Sequence, residues 1–593
     1  MSLVRPVSPQ RSGVRYHSSV ASYYVENFGC RATQADGAAL ERQFEESGLA
    51  RASTATQADV VILNSCTVTA AADQDARAAI RRVRRQNPKA KIVVTGCYAQ
   101  RAPEEIAALP GVACVVGNSH KHQLAEIALR GRPDARVRER CDFSSSEAAS
   151  GAQVGGDLEF RDASATATNG FGWRSASGAA KSASSLERAL APDGSAFIPL
   201  TNLTAEARSP IFVSDIFAHT ELVAAPVFDA ANERTRPNLK VQDGCDNRCS
   251  FCVIPYVRGQ SRSLPLDEIV REVNTLVEAG YREVVISGIN LGRWGRDLNG
   301  DRLPATGSRN SDLAFPVPES RKPEAAFEDL VRAILAETAL EKLRISSVEP
   351  MDWSDELIAL VAESPRIAKH AHVPMQSGSD AVLRRMHRKY RPWHYREKIE
   401  KIRSAMPTAA IGADVMAGFP GETDAEFEAT RRMIEDLPFT YLHVFTYSAR
   451  PGTPAATMRD QVPVHVARER NRILRELGAG KKQAFMRSFI GKTVEAITLS
   501  STHSLSSRVE SVDLPANQSG TVEGPAVLAD TIFTEALTDN YLKLRLTGRH
   551  QPNLWLRAQV DDVQGETLAG SPARTAQGVV GNSKQDTIVE SHP

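Results

Sequence analysis

Three cysteines lie close together in the stretch DGCDNRCSFCVIP, which covers residues 243–255. Cys245, Cys249 and Cys252 have the spacing C-x3-C-x2-C. Structural zinc usually takes four ligands, often as two separated pairs, whereas here no fourth Cys or His follows closely. Three thiolates on a [4Fe–4S] cube would bind three irons and leave the fourth open to an exogenous ligand. The spacing therefore favours an open iron–sulfur site over zinc or a disulfide.

A second set of cysteines follows predicted strands. SYYVENFGC, ADVVILNSC, AKIVVTGC and ACVVGN read as strands separated by helical segments, which predicts an open parallel α/β sheet. Three of these strands end on Cys30, Cys66 and Cys97. The carboxyl ends of parallel strands line one crevice, so these cysteines can converge although they are far apart in sequence. Cys114 is predicted to be a small core residue, and Cys141 has no partner nearby.

The composition is that of a globular chain with several domains. The 593 residues are 42% hydrophobic and 24% charged, with no run of 18 apolar residues and no secretory signal among the first twenty. Residues 1–21 are predicted to be a disordered extension, although their arginines would also suit a transit peptide. Clustered thiols suggest a reducing cytoplasm. The net charge of +1 excludes a global preference for a polyanionic partner.

The remaining chain divides by composition and periodicity. The predicted segments are a sheet domain at 22–140, a disordered Ser/Ala/Gly-rich linker or insertion at 141–226, a barrel domain at 227–460, a basic helical connector at 461–487, a small β-barrel at 488–570 and a disordered tail at 571–593. Within the linker, PIFVSDIF could form a strand. A second polar insertion, LNGDRLPATGSRNSDLAFPVPESRKPE, interrupts the barrel domain.

The barrel domain alternates strands and helices. REVVISGIN, KLRISSVEP, KHAHVPMQ, AAIGADVMAGFP and YLHVFTYS read as strands of a full or partial (β/α) barrel, whose chemistry would lie at the strand ends. Polar or glycine residues stand there: Gly288, Asn290, Ser347, Glu349, Gln376, Ser377 and Asp414. Each could equally be a helix cap or a hydrogen-bonded buried group. Arg258 could pair with a carboxylate or a phosphate, or be a surface arginine.

The last predicted barrel has period-two strands. In YLKLRL and NLWLRAQV the leucines alternate with polar and aromatic residues. The outward faces would present Tyr541, Lys543, Arg545, Trp555 and Arg557. Aromatic and basic side chains together can stack on and neutralise single-stranded RNA, although an ordinary solvated face has the same pattern.

These motifs together resemble a known family. C-x3-C-x2-C with Phe251 before the last cysteine is similar to the radical S-adenosylmethionine (radical SAM) enzymes. The upstream cysteine domain, VQDGCDNRCSFCVIPYVRGQSRS, HVPMQSGSDAVLRRMHRKY, ADVMAGFPGET, FTYSARPGTPA and a terminal barrel similar to a TRAM domain extend the likeness to the methylthiotransferases. The fold implied is an N-terminal α/β sheet domain, a partial (β/α) barrel of radical SAM type and a small antiparallel β-barrel.

The resemblance implies two [4Fe–4S] clusters and SAM as cofactors. Cys245, Cys249 and Cys252 match the ligands of the cluster that binds and cleaves SAM to give a 5′-deoxyadenosyl radical, and Cys30, Cys66 and Cys97 match those of an auxiliary cluster that holds the transferred sulfur. An unactivated C–H bond needs such radical chemistry. Further residues implied to contact cofactor or substrate are Phe251, Gly288, Asn290, Ser347, Glu349, Gln376 and Asp414.

The resemblance also implies a substrate and partners. RISSVEP and PYVRGQSRS most resemble the branch that methylthiolates threonylcarbamoyladenosine in tRNA; the alternatives are isopentenyladenosine in tRNA, a ribosomal-protein aspartate, or a non-catalytic iron–sulfur or zinc RNA-binding protein. The family usually has Asn where this chain has Thr33, which affects a hydrogen bond near the auxiliary cluster. An electron donor such as flavodoxin or ferredoxin, a monomeric state and a cytoplasmic location are expected.

Overall fold

The computed structural model describes residues 21–129, 209–219, 235–298, 326–505 and 531–573. The predicted N-terminal extension, most of the 141–226 insertion with Cys141, nearly all of the second polar insertion and nearly all of the C-terminal tail lie outside these residues. Residues 21–128 and the described residues from Ser209 onward belong to one compact unit. None of the seven cysteines in the described ranges forms a disulfide.

The first domain is an open, wholly parallel sheet, as predicted. Its strand order is β2-β1-β3-β4-β5-β6, and PIFVSDIF supplies the edge strand β6. The sheet core is made by apolar runs such as VVIL, which are fully buried because helices cover both faces. The elements are β1 Ser22–Asn27, α1 Arg31–Glu46, β2 Ala50–Arg51, β3 Val60–Ser65, α2 Ala70–Gln86, β4 Lys91–Gly96, α3 Cys97–Arg101, α4 Pro103–Ala107, β5 Val112–Val116, α5 Leu124–Leu129 and β6 Ile211–Phe212.

The second domain is a partial (β/α) barrel. Its strands are β7 Asn238–Asp243, β8 Arg262–Ser263, β9 Glu283–Gly288, β10 Lys342–Ile345, β11 His370–His372, β12 Ala410–Ala417 and β13 Tyr441–Thr446. Six of them run parallel in the order β7-β9-β10-β11-β12-β13, and single bridges such as Ser347 to His372 join β10 to β11. The short β8 pairs antiparallel with β7. The partial barrel is therefore confirmed, with β7 as a strand additional to the five quoted above.

Helices cover the outside of this barrel. They are α7 Leu266–Glu278, α8 Phe327–Glu337, α9 Asp355–Glu363, α10 Asp380–Arg385, α11 Pro392–Ala405 and α12 Asp424–Asp436, whereas the short α6 Ile254–Arg258 packs on the sheet domain. Their apolar faces pack on strand residues such as Leu239, Ile286 and Ile411 to form one continuous core. Because every parallel strand ends at the same rim, the loops after them share one site.

The third domain is a closed five-stranded barrel after the basic helix α13 Val464–Arg487. Its strands are β14 Thr493–Leu505, β15 Thr531–Thr538, β16 Lys543–Thr547, β17 Trp555–Gln564 and β18 Thr567–Pro572. Leu544, Leu546 and Ala558 point inward and are buried, as the alternation predicts. The prediction of a purely antiparallel barrel needs one correction, because β16 and β18 pair in parallel to close it. No helix among the described residues is long and apolar enough to cross a membrane.

Candidate active site between two cysteine triads

The loop triad, Cys245, Cys249 and Cys252, follows β7 at the carboxyl rim of the barrel. Gly244 begins the turn with a φ of +71°, and a Cβ there would lie 1.9 Å from the carbonyl oxygen of Gln260, so only glycine fits. The Cys245 amide donates to the Gly259 carbonyl at 3.1 Å, and the Cys252 amide donates to the Cys249 carbonyl at 3.1 Å. Local backbone bonds therefore fix the three cysteines.

The thiols of the loop triad lie near one another and near a cation. Burial, reinforced by the Cys249 thiol, raises the pKa of Cys252 to about 12 and that of Cys245 to about 11. Arg388 lies 3.3 Å from the Cys249 sulfur through one guanidinium nitrogen and pairs with Glu349 through another. Metal binding would replace the thiol protons, and Arg388 would compensate the resulting negative charge.

The sheet triad, Cys30, Cys66 and Cys97, stands at the ends of three adjacent strands, β1, β3 and β4. The Cys66 sulfur lies 2.7 Å from where a Cβ on Gly29 would be, so the chain before Cys30 passes closely over it. Burial, with added effects of the Cys97 and Cys30 thiols, raises the pKa of Cys66 to about 12. The strand ends thus bring the triad together as predicted.

Hydrogen-bonding groups surround the sheet triad. The Thr33 hydroxyl lies 3.5 Å from the Cys30 sulfur, so threonine retains a polar contact at this position. The Asn118 amide lies 3.6 Å from the Cys97 sulfur. No three Cys, His, Asp or Glu side chains in the described ranges converge as the ligands of one metal ion do. The thiolates of a cubane stand farther apart, because each binds a different iron.

The two triads are neighbours. Cys97 packs against Val253 and Val257, which come just after the last cysteine of the loop triad. The Asn118 amide also donates to the Val257 carbonyl at 2.7 Å, so one side chain contacts both the sheet triad and α6. The sheet triad therefore lies close to the end of the loop triad.

A buried network of charges joins the sheet domain to the barrel domain beside the two triads. The Arg258 guanidinium contacts Asp36 of α1 and Asp243 of β7, each at 2.9 Å, so its partners are carboxylates. Lys121 contacts Asp36 at 2.9 Å, and Lys240 contacts both aspartates. Burial alone would raise the pKa of Asp36, but Arg258, Lys121 and Lys240 hold it below its usual range. Both carboxylates stay ionised and hold α1 on the barrel.

A second network braces Cys66. Thr67, the next residue, donates to Asp73 at 2.6 Å, and Arg101 contacts both of them. Arg450 of the barrel domain also reaches Thr67, at 3.1 Å, and pairs with Asp73. The sheet triad therefore depends on the second domain as well as on its own sheet.

Several predicted polar residues lie around the rim. Asn290 is buried, and neither atom of its amide has a hydrogen-bond partner among the described residues, which suits a group that binds a ligand. Gly288 ends β9. Gln376 has a φ of +62°, a strained conformation for a residue that is not glycine. Ser347, Glu349 and Asp414 are half-buried at the rim or inner face.

Two predicted residues serve the scaffold. Ser377 is buried, shares a hydrogen bond with Thr430 at 3.0 Å and accepts from the Ser379 amide, so the structure favours the buried hydrogen-bonded alternative. Phe251 packs edge to face on Phe419, with ring centroids 6.4 Å apart. Its ring thus supports the loop triad from the core side.

The predicted RNA-binding residues divide into two groups. Lys543 and Arg557 are exposed, whereas Arg545 lies over the Phe533 ring and Trp555 faces the Lys342 ammonium at 5.0 Å. The prediction that Tyr541 lies on an outward face open to RNA is wrong. Its ring packs 4.7 Å from that of His370 in the barrel domain, because the β15 to β16 turn docks there.

Sequence reasoning missed the residues that couple the domains and several that line the barrel. Asp243 and Arg450 lie in the quoted motifs VQDGC and FTYSARPGTPA, but neither motif reveals their partners, and Asp36 lies outside the quoted strands. His372 and His443 lie in the quoted strands KHAHVPMQ and YLHVFTYS, where every second residue of a barrel strand points inward. That alternation could have identified both histidines.

Comparisons with known proteins agree with this geometry. A family model described as "Uncharacterized protein family UPF0004" matches residues 22–117, and one described as "Radical SAM superfamily" matches residues 239–434. The threonylcarbamoyladenosine tRNA methylthiotransferase MtaB of Bacillus subtilis (strain 168) is 32% identical over 451 residues, which cover 76% of this chain and 79% of that protein. The chain belongs to the radical SAM methylthiotransferase family.

Relatives of this methylthiotransferase carry more than one name. A tRNA-2-methylthio-N(6)-dimethylallyladenosine synthase of Novosphingobium aromaticivorans is 31% identical over 81% of this chain and 87% of that protein. The radical S-adenosylmethionine methyltransferase TsrM of Kitasatospora setae is 16% identical, with a TM-score of 0.42 over 74% of this chain and 77% of that one. The predictions of the family, and of an enzyme that uses SAM and iron–sulfur chemistry, are confirmed.

Proposed function

We propose that this methylthiotransferase adds a methylthio group to C2 of N6-threonylcarbamoyladenosine beside the anticodon of tRNA, with SAM as radical source and methyl donor. Relatives with the threonylcarbamoyladenosine name from several bacteria match most of the chain at 29–32% identity. The observation that carries the chemistry is the contact of Cys97 with the residues after Cys252, which makes the two cysteine triads neighbours.

We further propose two [4Fe–4S] clusters, one on each triad. Cys245, Cys249 and Cys252 would hold the cluster that binds SAM, and the sheet triad would hold the second. When bound, these groups supply the radical chemistry and the sulfur that side chains lack. Each triad fits a cluster because it offers three thiols beside a cation. Arg388 lies beside the loop triad, and Arg258 lies beside the sheet triad.

The protein's own residues position these groups. The Asn290 amide, which has no hydrogen-bond partner among the described residues, can bind polar atoms of SAM at the end of β9. Glu349 holds Arg388 against Cys249. Arg258 is fully buried, which alone would lower its pKa, but Asp243 and Asp36 raise it, and the Cys97 and Cys30 thiols add to the effect, so its charge also acts on the sheet triad. These groups orient the cofactors and keep the charge of the site balanced.

The tRNA would approach the rim that both domains share. The exposed Lys543 and Arg557 of the third domain can contact phosphates, since such contacts supply affinity without sequence preference. A flavodoxin or ferredoxin as electron donor, a monomeric state and a cytoplasmic location stay predictions. Since the chain is an enzyme of this family, the non-catalytic alternative is dropped.

Nucleoside mass spectrometry tests the substrate. In a strain that lacks this gene, methylthiolated threonylcarbamoyladenosine should disappear from tRNA and return with the wild-type gene but not with the Cys252→Ala variant. Unchanged methylthiolated threonylcarbamoyladenosine in the deletion strain would refute the assignment. Loss of methylthiolated isopentenyladenosine instead would assign the chain to the branch of the dimethylallyladenosine relatives.

A further inference from the structure

The inner face of β11 to β13 carries ionisable and aromatic side chains that the proposed chemistry leaves unused. His372, Asp414 and His443 come from three neighbouring strands, and Arg31 of α1 reaches the same place from the sheet domain. Arg31 follows Cys30 directly, so this group lies beside the sheet triad. A substrate delivered to that triad would meet these side chains.

Arg31 is the unusual member of the group. Its guanidinium donates to the Tyr541 hydroxyl at 2.9 Å, but no carboxylate among the described residues lies within 4.0 Å of it. Arg258, Arg344 and Arg450, by contrast, each pair with a carboxylate. A half-buried cation usually has an anionic partner, because desolvation without one is costly. Arg31 is therefore placed to bind an anion that a ligand brings.

The histidines and the aspartate add hydrogen-bonding capacity. The His443 ring lies 5.5 Å from that of His372 and 5.3 Å from that of Tyr441. Partial burial, and then the neighbouring His372, lowers the pKa of His443, which favours an imidazole that can donate one hydrogen bond without a charge. The His372 Nε2 lies 3.3 Å from Asp414 Oδ1 but has no well-aligned hydrogen-bond partner among the described residues.

Aromatic rings form the floor beneath these groups. Tyr441 lies across Gly412, where a Cβ would be 2.0 Å from its ring, and the His370 and Tyr541 rings continue the layer. Flat rings of this kind favour a planar base above them. This group of residues thus combines aromatic rings with a cation at Arg31, a hydrogen-bond donor at His443 and a carboxylate acceptor at Asp414.

We propose that this group selects the threonylcarbamoyl substituent of the substrate. Arg31 and His443 bind the threonyl carboxylate, and Asp414 accepts from the threonyl hydroxyl or a ureido N–H. The inference rests on the proposed function and goes beyond it by naming specificity residues. A dimethylallyl group has neither charge nor hydrogen-bonding atoms, so it would leave Arg31 unpaired and gain nothing here.

A binding cycle tests the carboxylate contact. Anticodon stem-loops would carry threonylcarbamoyladenosine, the same nucleoside with its carboxylate converted to an amide, or unmodified adenosine, and Kd would be measured anaerobically on reconstituted enzyme. For the wild type, the amide should weaken binding about tenfold or more, the usual effect of losing a charged hydrogen bond. Arg31→Gln should bind the native stem-loop with that same loss and should not distinguish it from the amide.

Matched variants separate this effect from damage to the cysteine site. Arg42→Gln removes an exposed arginine from the same helix, where it pairs with Glu46, and should keep the full preference. His443→Phe is distant in sequence from every cysteine and should reduce the preference without changing iron content. If Arg31→Gln loses iron, His443→Phe carries the test with the same expected result.

The outcomes distinguish the two hypotheses. If both Arg31→Gln and His443→Phe keep the wild-type preference for the carboxylate while the wild type methylthiolates the threonylcarbamoyl stem-loop, the inference is wrong and the proposed function stands. If the wild type modifies only an isopentenyl stem-loop, the proposed function fails and the inference fails with it.

Discussion

The two cysteine triads are neighbours, but different kinds of contact hold them in place. The loop triad is held on one segment by backbone hydrogen bonds of its own turn, such as that from Cys245 to Gly259. The sheet triad is assembled from three strand ends and braced by side chains of the barrel domain, among them Arg258 and Arg450. One triad is therefore held within a single domain, and the other is assembled by contacts between two domains.

This difference implies different sensitivity to distant changes. The loop triad should tolerate changes at the domain interface better, because its distant contacts, such as those of Ser250 with Met386 and Ala455, lie within the barrel domain. The sheet triad should respond to any change that shifts α1 or α2 against the barrel, since Asp36 and Asp73 carry the bridging charges. Iron content and spectroscopy can follow the two triads separately.

The largest expected effect comes from removing one thiol of each triad. Reconstituted wild type should hold about eight irons per chain if each triad binds a four-iron cluster. Cys97→Ala should lower this to about four and abolish methylthiolation, yet retain reductive cleavage of SAM. Cys252→Ala should also hold about four but lose SAM cleavage. Iron assay and product analysis measure both.

Cys114 provides the matched control for this experiment. It is a buried cysteine on β5, the neighbour of the strand that precedes Cys97, and it belongs to neither triad. Cys114→Ala should keep the wild-type iron content and activity. An unchanged iron content in Cys97→Ala would contradict the assignment of the sheet triad.

A smaller effect is expected from the network that joins α1 to the barrel. Asp36→Asn leaves Arg258, Lys121 and Lys240 with one carboxylate fewer inside the protein, which should cost about 3–5 kcal/mol of the free energy of unfolding. Iron at the sheet triad should be lost before iron at the loop triad. Chemical denaturation followed by circular dichroism measures the stability, and iron assay measures the clusters.

The surface ion pair of Asp355 with Lys401 is the comparison for this variant. Asp355→Asn should leave the free energy of unfolding almost unchanged, because an exposed pair is weak. An equal loss of unfolding free energy in the two variants would contradict a structural role for the buried network. Equal loss of iron from both triads in Asp36→Asn would contradict the distinction between a triad held within one domain and a triad assembled across two.

Much of this arrangement could be predicted from the sequence. The loop triad has a local spacing, and the sheet triad follows from the rule that parallel strands end at one edge. The ion pairs around Asp36 could not be predicted, because their partners come from elements distant in sequence and no periodicity links them. The alternation of polar and apolar residues also predicted an exposed Tyr541, which is wrong. This pattern gives the direction of a side chain relative to its own barrel, but it does not reveal that another domain docks on that side.

The smallest expected effect concerns a single hydroxyl at the sheet triad. Thr33 is buried with its hydroxyl 3.5 Å from the Cys30 sulfur. Thr33→Val keeps the shape and removes the hydrogen bond, which should cost about 0.5–1.5 kcal/mol, equivalent to about 20–60 mV in a one-electron reduction potential. A hydrogen bond to a cluster thiolate stabilises the more negative, reduced state, so the potential of the proposed sheet-triad cluster should fall. Thr33→Ser should restore the potential of that cluster, and the potential of the loop-triad cluster should stay constant in both variants. Redox titrations followed by electron paramagnetic resonance measure the two potentials. Equal shifts at both clusters would mean that the hydroxyl acts on the fold and not on one sulfur.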